Sequence, residues 1–215
     1  MPAILNKLYK KIRQSIRNSS LPYRILFKAA YSYKKKWLYR GVNTPVVNVI
    51  FMKRIQNLLG GEIRCILSGG APLDPNIQEF LRLTLNCPVL QGYGLTETSC
   101  SGTLTDCDDL SSGHVGGPVA CALIKLVDWE EGGYMIADEP FPRGEVWIGG
   151  PSVALGYYQD VERTEEEFHQ RGYIRWYSTG DIGRLRHDGS LVIIDRKKDI
   201  IKLQTGEYVS LGMFK

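Results

Sequence analysis

Gln91-Gly92-Tyr93-Gly94-Leu95-Thr96-Glu97-Thr98 brings phosphate donors, a hydroxyl and a metal-ligand carboxylate into one short stretch. Glycines on either side of Tyr93 carry no Cβ, so their backbone N–H groups can approach an anion closely. Thr96 adds a hydroxyl, and Glu97 adds a carboxylate suited to a hard, oxygen-loving cation such as Mg²⁺. Together these residues describe a nucleotide site. A glycine turn leading into a helix N-cap has the same composition, so the stretch needs support from elsewhere in the chain.

Four other stretches carry chemistry of their own. Ser68-Gly69-Gly70-Ala71-Pro72 follows an apolar run and would let a flat heterocycle lie against backbone; a tight loop has the same letters. Tyr177-Ser178-Thr179-Gly180-Asp181 ends a candidate strand with a carboxylate that can hold two vicinal ribose hydroxyls. Asp195-Arg196-Lys197-Lys198-Asp199 with Lys202 crowds charge between Ile193-Ile194 and Ile200-Ile201, as a polyphosphate contact, a moving joint or a solvated surface would require. Gly144-Glu145-Val146-Trp147-Ile148-Gly149-Gly150-Pro151, through Gly156-Tyr157-Tyr158, reads most simply as a strand with structural turns.

Positioning these residues requires a particular order of elements. Residues 2–17, 21–39 and 45–59 have helical periodicity, interrupted at Asn18-Ser19-Ser20 and at Gly41 to Pro45. Ile63 to Leu67 predicts a short buried strand, with Cys65 as a small core residue. Asp74-Pro75 predicts a helix start and a helix over 75–86. Pro88 to Leu90 is a second strand that feeds the Gly92–Glu97 stretch. This is a parallel α/β rhythm, and ligands gather at the carboxyl ends of such strands. After Gly116 the pattern becomes β-rich, with strands expected at 121–127, 144–149, 173–177, 182–187 and 191–195. His187-Asp188-Gly189-Ser190 is a hairpin turn. Five short strands predict a small barrel or a distorted sheet. The acidic segment 160–168 is a helix whose Glu162, Glu165, Glu166 and Glu167 form a solvated face.

Composition narrows the class. With 43 % hydrophobic and 23 % charged residues, the 215-residue chain has the balance of a soluble globular protein. Five cysteines without a CxxC pair and three histidines without ligand spacing argue against structural zinc and for a reducing compartment. Charge is lopsided: 13 basic residues and no acid precede Glu62, and 14 basic against 23 acidic residues follow from there. The first helix carries an apolar stripe (Ile4, Leu8, Ile12, Ile16, with Leu5 and Tyr9 beside it) and Lys7, Lys10, Lys11 and Arg17 largely off it. A helix packed on a larger body is the default reading. An anionic membrane surface and a transit peptide are alternatives. No groove-reading motif supports nucleic-acid binding, and no apolar run approaches the ~20 residues that span a bilayer.

In order and spacing, these motifs resemble the adenylate-forming superfamily of acyl-CoA synthetases, luciferases and peptide-synthetase adenylation domains. Gln91 to Glu97, Ile194 to Asp199, and Lys202-Leu203-Gln204 through Gly206-Glu207-Tyr208-Val209-Ser210-Leu211-Gly212 are similar to long-chain fatty acid–CoA ligases. Asp128 to Tyr134 and the Phe27 to Lys34 segment resemble the subgroup of the animal long-chain synthetases 3 and 4. The resemblance implies a chain that joins a long-chain fatty acid to ATP, then passes the acyl group from the adenylate to coenzyme A. It implies ATP, Mg²⁺ and CoA as cofactors and substrates, and the cytosolic face of intracellular membranes, the endoplasmic reticulum first, as location.

By resemblance, Gly69, Gly70 and Ala71 line the adenine pocket. Gln91, Gly92, Tyr93 and Gly94 form the nucleotide turn, with Tyr93 stacking on adenine. Thr96 contacts phosphate and Glu97 ligates Mg²⁺. Asp181 holds the ribose and Arg196 adds a nucleotide contact. Lys198 falls at the hinge, and Lys202 on the face presented for thioester formation. The expected domains are a helical and α/β portion of the AMP-binding domain over 1–115, a β-rich barrel-like part over 116–195, and the hinge with the start of a C-terminal domain over 196–215. The phosphate loop ending in Pro-Lys-Gly is expected upstream of residue 1, and the C-terminal domain with its adenylation lysine beyond Gly212. The chain therefore reads as a fragment, inactive or nearly so alone. A non-catalytic product that binds nucleotide or a partner is the alternative.

Overall fold

The computed structural model of the chain describes residues 2–202 and 208–210. It divides into two compact units, Met1–Leu90 with Asp106–Gly113, and Gln91–Thr105 with His114–Lys215. The division thus falls next to Gln91, inside a strand. Leu203, Gln204, Gly206, Glu207, Leu211 and Gly212 of the last family-like stretch lie outside the described residues, as do 213–215.

The first unit is built on helices. Helix α1 (Pro2–Arg17) buries Leu5 and Ile12 and half-buries Leu8 and Ile16, a stripe at i, i+3, i+7 and i+11. Ile4, expected on that stripe, is 64 % exposed, because Leu5 takes the inward position. Tyr9 meets Phe80 edge-on at 5.0 Å. The helix therefore packs on its own unit, and Lys7, Lys10, Lys11 and Arg17 stay exposed. Helix α2 (Leu21–Leu38) carries Pro22 in its first turn and buries Phe27, Ala30 and Lys34 on one face. Residues 45–59 are helical in pieces: α3 (Pro45–Val47), a π turn (Asn48–Met52), α4 (Lys53–Gln56) and a 3₁₀ turn (Asn57–Leu59), ended by Gly60 at φ +87°.

Strand β1 (Ile66–Ser68) begins three residues later than the apolar run does. Cys65 precedes it and is exposed, so the core role expected for it is wrong. The buried cysteine is Cys87, which packs with Met52, Leu81 and Val89. Helix α5 (Pro75–Leu85) starts as expected, with the Asp74 carboxylate accepting the Asn76 and Ile77 N–H groups at 2.7 and 3.3 Å. Asn86, left-handed at φ +55°, ends the helix, and the chain enters β2 (Val89–Tyr93). The Ile66 N–H bonds to Pro88 O at 2.9 Å, the strand–helix–strand order read from the sequence.

The second unit is a sheet assembly. The end of β2 pairs antiparallel with β3 (Thr103–Leu104), which pairs with β4 (Gly117–Pro118). Five strands form the main sheet: β5 (Leu123–Val127), β6 (Arg143–Gly149), β7 (Phe168–Arg171), β8 (Ile174–Leu185) and β9 (Leu191–Arg196). Their order is β5-β6-β8-β7, with β9 also on β8. Among the described residues this is an open sheet with register breaks at Glu145/Trp147 and Ile182/Gly183, the distorted-sheet alternative and not a closed barrel. The long β8 gives one edge wholly to β6 and shares the other between β7 and β9. The two strands expected over 173–187 are this single strand. Ala122, Leu126, Val146, Ile148 and Leu191 form the core on one face. The His187–Ser190 turn joins β8 to β9, with Gly189 at φ +79° and Ser190 N–H bonded to Asp188 Oδ1 at 3.0 Å. Helix α6 (Val161–Glu167) is exposed along Glu162, Glu165 and Glu166, but Glu167 turns inward and is no part of a solvated face. Past β9, a 3₁₀ turn (Lys197–Asp199) leads to β10 (Ile200–Lys202), paired with β11 (Tyr208–Ser210).

Among the described residues, no opposite charge pairs with Lys34 in the first unit's interior. Lys34 is 3 % exposed, and its Nζ donates to Asn48 Oδ1 and Asn86 Oδ1 at 2.6 and 2.7 Å. Burial lowers its pKa from 10.5 to about 8, with only the neighbouring Cys87 working against the shift. The unfolded chain binds this proton more tightly, so stability rises with pH between about 8 and 10.5 and is constant below that window. Burial pushes the Cys87 thiol the other way, to about 11, and that takes stability away above pH 9.0. In urea melts, wild type should therefore gain on Lys34→Met by on the order of 3 kcal/mol between pH 8 and 10.5. A difference that does not change with pH contradicts a desolvated lysine.

Candidate nucleotide site

A break in the β6–β8 register creates the site. Glu145 pairs with Ile182 and Trp147 with Ser178, so Val146 alone faces Thr179, Gly180 and Asp181. Gly180 takes φ +68° to make this bulge. Thr179 Oγ1 donates to Val146 O at 2.7 Å and accepts from Asp181 N at 3.0 Å, and the Gly180 N–H donates to Glu145 Oε1 at 3.1 Å. The bulge aims the Asp181 side chain out of the strand's alternation.

Asp181 is 4 % exposed. Its Oδ2 accepts the Tyr93 hydroxyl at 2.7 Å, and its Oδ1 lies 3.3 Å from Arg196 Nε, directly across the β8–β9 pair. Tyr93 and Arg196, from separate motifs, thus converge on the carboxylate of a third. Burial raises the Asp181 pKa, outweighing the Tyr93 hydrogen bond and the Arg196 charge. The Tyr93 phenol is pushed far above its ordinary range, first by burial and then by the Asp181 charge. At neutral pH Tyr93 keeps its proton and donates it to Asp181.

The Gly92–Glu97 turn is tied into the same unit. Gln91 N–H donates to Thr105 Oγ1 at 2.9 Å, and Gln91 Nε2 to His114 O at 3.3 Å. Gly92 faces Leu104 in the β2–β3 ladder. A Cβ on Gly94 would sit 2.4 Å from Cys100 O, so the turn closes only with glycine there. Thr96–Thr98 form one 3₁₀ turn, with Thr96 exposed and Thr98 buried. Glu97 Oε1 accepts the Tyr157 hydroxyl at 2.8 Å, and Glu97 O accepts the Ala154 N–H at 2.7 Å. No described residue bonds Glu97 Oε2.

The remaining expected residues belong to other elements. Gly69, Gly70 and Ala71 belong to the first unit, in the loop after β1; Gly70 stands at φ +80° with open space beside it. Just before them, the Ser68 hydroxyl is buried with no hydrogen-bond partner among the described residues. Lys198 is exposed in the turn after β9, and Lys202 sits in β10 opposite Tyr208.

Sequence reasoning missed Glu145, Lys197, Tyr157, Tyr177 and Glu167. Glu145 is buried and accepts from Gly180 N, Trp147 Nε1 and Lys197 Nζ, the last two at 3.0 and 2.9 Å. A glutamate inside an otherwise apolar strand was the available signal. Tyr157, in a stretch read as a structural turn, donates within a cluster where Glu167 Oε2 lies at 2.6 Å and the Tyr177 hydroxyl at 3.2 Å.

The family model of the AMP-binding enzymes matches residues 1–158, and the chain belongs to that family. It is similar to long chain acyl-CoA synthetase 8 of Arabidopsis thaliana, 44 % identical over 99 % of this chain and 30 % of the relative. The peroxisomal long chain acyl-CoA synthetase 7 of the same plant is 41 % identical over 98 % of this chain and 30 % of its own length. The chain thus spans about a third of these relatives. Among solved structures, O-succinylbenzoate coenzyme A synthetase from Bacillus subtilis, in complex with ATP and magnesium ion, superposes with a TM-score of 0.57. It is 30 % identical, and the match covers 74 % of this chain and 33 % of that one.

Tyr93→Phe leaves the ionised Asp181 carboxylate buried with one donor fewer. In urea melts at pH 7 it should cost about 1.5–3 kcal/mol, the range for hydrogen bonds to charged groups. Arg196→Ala should cost less, because the Arg196 side chain is 68 % exposed and water screens its charge. Both losses should shrink in acid, as Asp181 takes up its proton. A Tyr93→Phe loss of the same size at all pH values contradicts a charged acceptor.

Proposed function

We propose that this chain carries nucleotide-contacting residues of a long-chain fatty acid–CoA ligase. The observation that carries the reading is the buried Asp181 carboxylate with Tyr93 on one oxygen and Arg196 on the other. A carboxylate so placed suits a ribose diol, with an aromatic ring beside it for the base. In the whole enzyme, the fatty acid carboxylate attacks the α-phosphorus of ATP and pyrophosphate leaves. The thiol of CoA then attacks the acyl carbonyl, and AMP leaves with acyl-CoA.

The residue roles belong to this proposal. Gly69, Gly70 and Ala71 serve the adenine, and Gln91, Gly92, Tyr93 and Gly94 form the nucleotide turn. Thr96 contacts phosphate, Asp181 holds the ribose and Arg196 adds a positive contact. Glu97 fits Mg²⁺ by its chemistry: a hard oxygen donor with one oxygen unbonded by any described residue, next to the exposed Thr96 hydroxyl. When bound, the ion neutralises charge growing on the phosphates. Lys198 acts as the hinge, and Lys202 lies on the face used for thioester formation.

The finer location is also proposed: the cytosolic face of the endoplasmic reticulum, in the manner of the animal 3/4 subgroup. The exposed Lys7, Lys10, Lys11, Arg13 and Arg17 of α1 support contact with an anionic surface. No helix among the described residues is long and apolar enough to cross a membrane.

Calorimetric titration with AMP tests the nucleotide reading. Wild type should bind, and Asp181→Asn should weaken binding about tenfold or more, through loss of charged hydrogen bonds. Equal binding by both proteins contradicts it. For the surface reading, the chain should sediment with phosphatidylserine vesicles at low salt and be released at high salt; sedimentation indifferent to salt or lipid charge contradicts it.

A further inference from the structure

Tyr157 has one hydroxyl proton and two carboxylates to give it to. Its oxygen lies 2.8 Å from Glu97 Oε1 and 2.6 Å from Glu167 Oε2. Glu167 is otherwise provided for: the Tyr177 hydroxyl donates to Oε2 at 3.0 Å, and Arg163 Nε to Oε1 at 3.0 Å. Burial works to raise the Glu167 pKa, but these donors outweigh it, and the group lies below its ordinary value. Glu97, by contrast, depends on Tyr157 alone for a side-chain hydrogen bond among the described residues.

The tyrosine that makes this choice is held firmly. The Arg163 guanidinium lies 4.1 Å from its ring centre, and Phe168 meets it edge-on at 5.4 Å. Its backbone N–H donates to Thr164 Oγ1 at 2.9 Å. A Cβ on the preceding Gly156 would sit 2.3 Å from Thr164 Cγ2, so the loop runs hard against α6. The Glu97 backbone is fixed as well, by the Ala154 N–H on its carbonyl. With both backbones set, the orientation of the Glu97 carboxylate rests on one hydroxyl.

We propose that Tyr157 is a positioning residue for the divalent cation at Glu97, with Glu167 as the alternate acceptor of its proton. Without the cation, the hydroxyl donates to Glu97 and holds the carboxylate in place. With a cation held by Glu97, the hydroxyl would be free to turn to Glu167, whose Oε2 lies 2.6 Å away without movement of the ring. No buried donor is left unpaired in either state, and the carboxylate meets the ion already oriented. This rests on the reading of Glu97 as the metal ligand.

The test uses Mn²⁺ as the probe, followed by its electron paramagnetic resonance signal in the presence of AMP, on wild type, Tyr157→Phe and Glu97→Gln. Tyr157→Phe should weaken Mn²⁺ binding about tenfold, the lower end of the effect of losing a partner behind a metal ligand. Its metal-free affinity for AMP should stay within about twofold of wild type, which separates a positioning role from damage to the fold. Weak Mn²⁺ binding in Glu97→Gln together with unchanged binding in Tyr157→Phe overturns the positioning role and leaves the ligand reading standing. Unchanged binding in both variants overturns both. Parallel loss of Mn²⁺ and AMP affinity in Tyr157→Phe also overturns the positioning role.

Discussion

A carboxylate removed almost completely from water must be answered by donors where it sits, and Asp181 is answered from two strands. Tyr93 reaches it from the end of β2 and Arg196 from β9, while the bulge in β8 delivers it. Burial still wins over these partners and raises the carboxyl's pKa. The arrangement is therefore held at a cost, and the surroundings must enforce it. They do so through the Gly180 turn, the Thr179 and Glu145 hydrogen bonds, and the Lys197 ammonium on Glu145. The β6–β8 register breaks where this support is built.

Two of the second unit's carboxylates, Asp181 and Glu167, are treated in opposite ways. Asp181 has a phenol and one largely exposed guanidinium, and desolvation dominates. Glu167 has two phenols and a guanidinium, and the donors dominate. A carboxylate raised by burial gains from any further donor brought to it, such as a ribose hydroxyl. A carboxylate already lowered by its donors gains less and serves better as a fixed partner. Glu97 stands between them, half-buried, with one oxygen held.

The sequence made local features legible because their causes are local. The apolar stripe of α1, the Asp74-Pro75 start of α5 and the His187–Ser190 turn each follow from a few neighbouring residues. The motif residues Tyr93, Asp181 and Arg196 were legible as candidates, but their meeting depends on pairing across 88 positions of chain between Tyr93 and Asp181. Features set by tertiary partners were not legible. Thr179 to Asp181 looked like a gap between two strands because a bulge carries turn residues inside one strand. Cys65 looked buried because an apolar neighbourhood does not say where a strand begins. Glu167 looked solvated because its companions on α6 are. Tyr157 sat in a glycine-rich stretch whose bland structural reading had no means of naming Glu97 as its partner.

A crystal structure of the chain with AMP bound tests the central claim most directly. The ribose hydroxyls should lie within hydrogen-bond distance of the Asp181 carboxylate, with the base against the Tyr93 ring and Arg196 beside the sugar. AMP bound elsewhere, with the Tyr93–Asp181 hydrogen bond intact and no ribose contact, would contradict it.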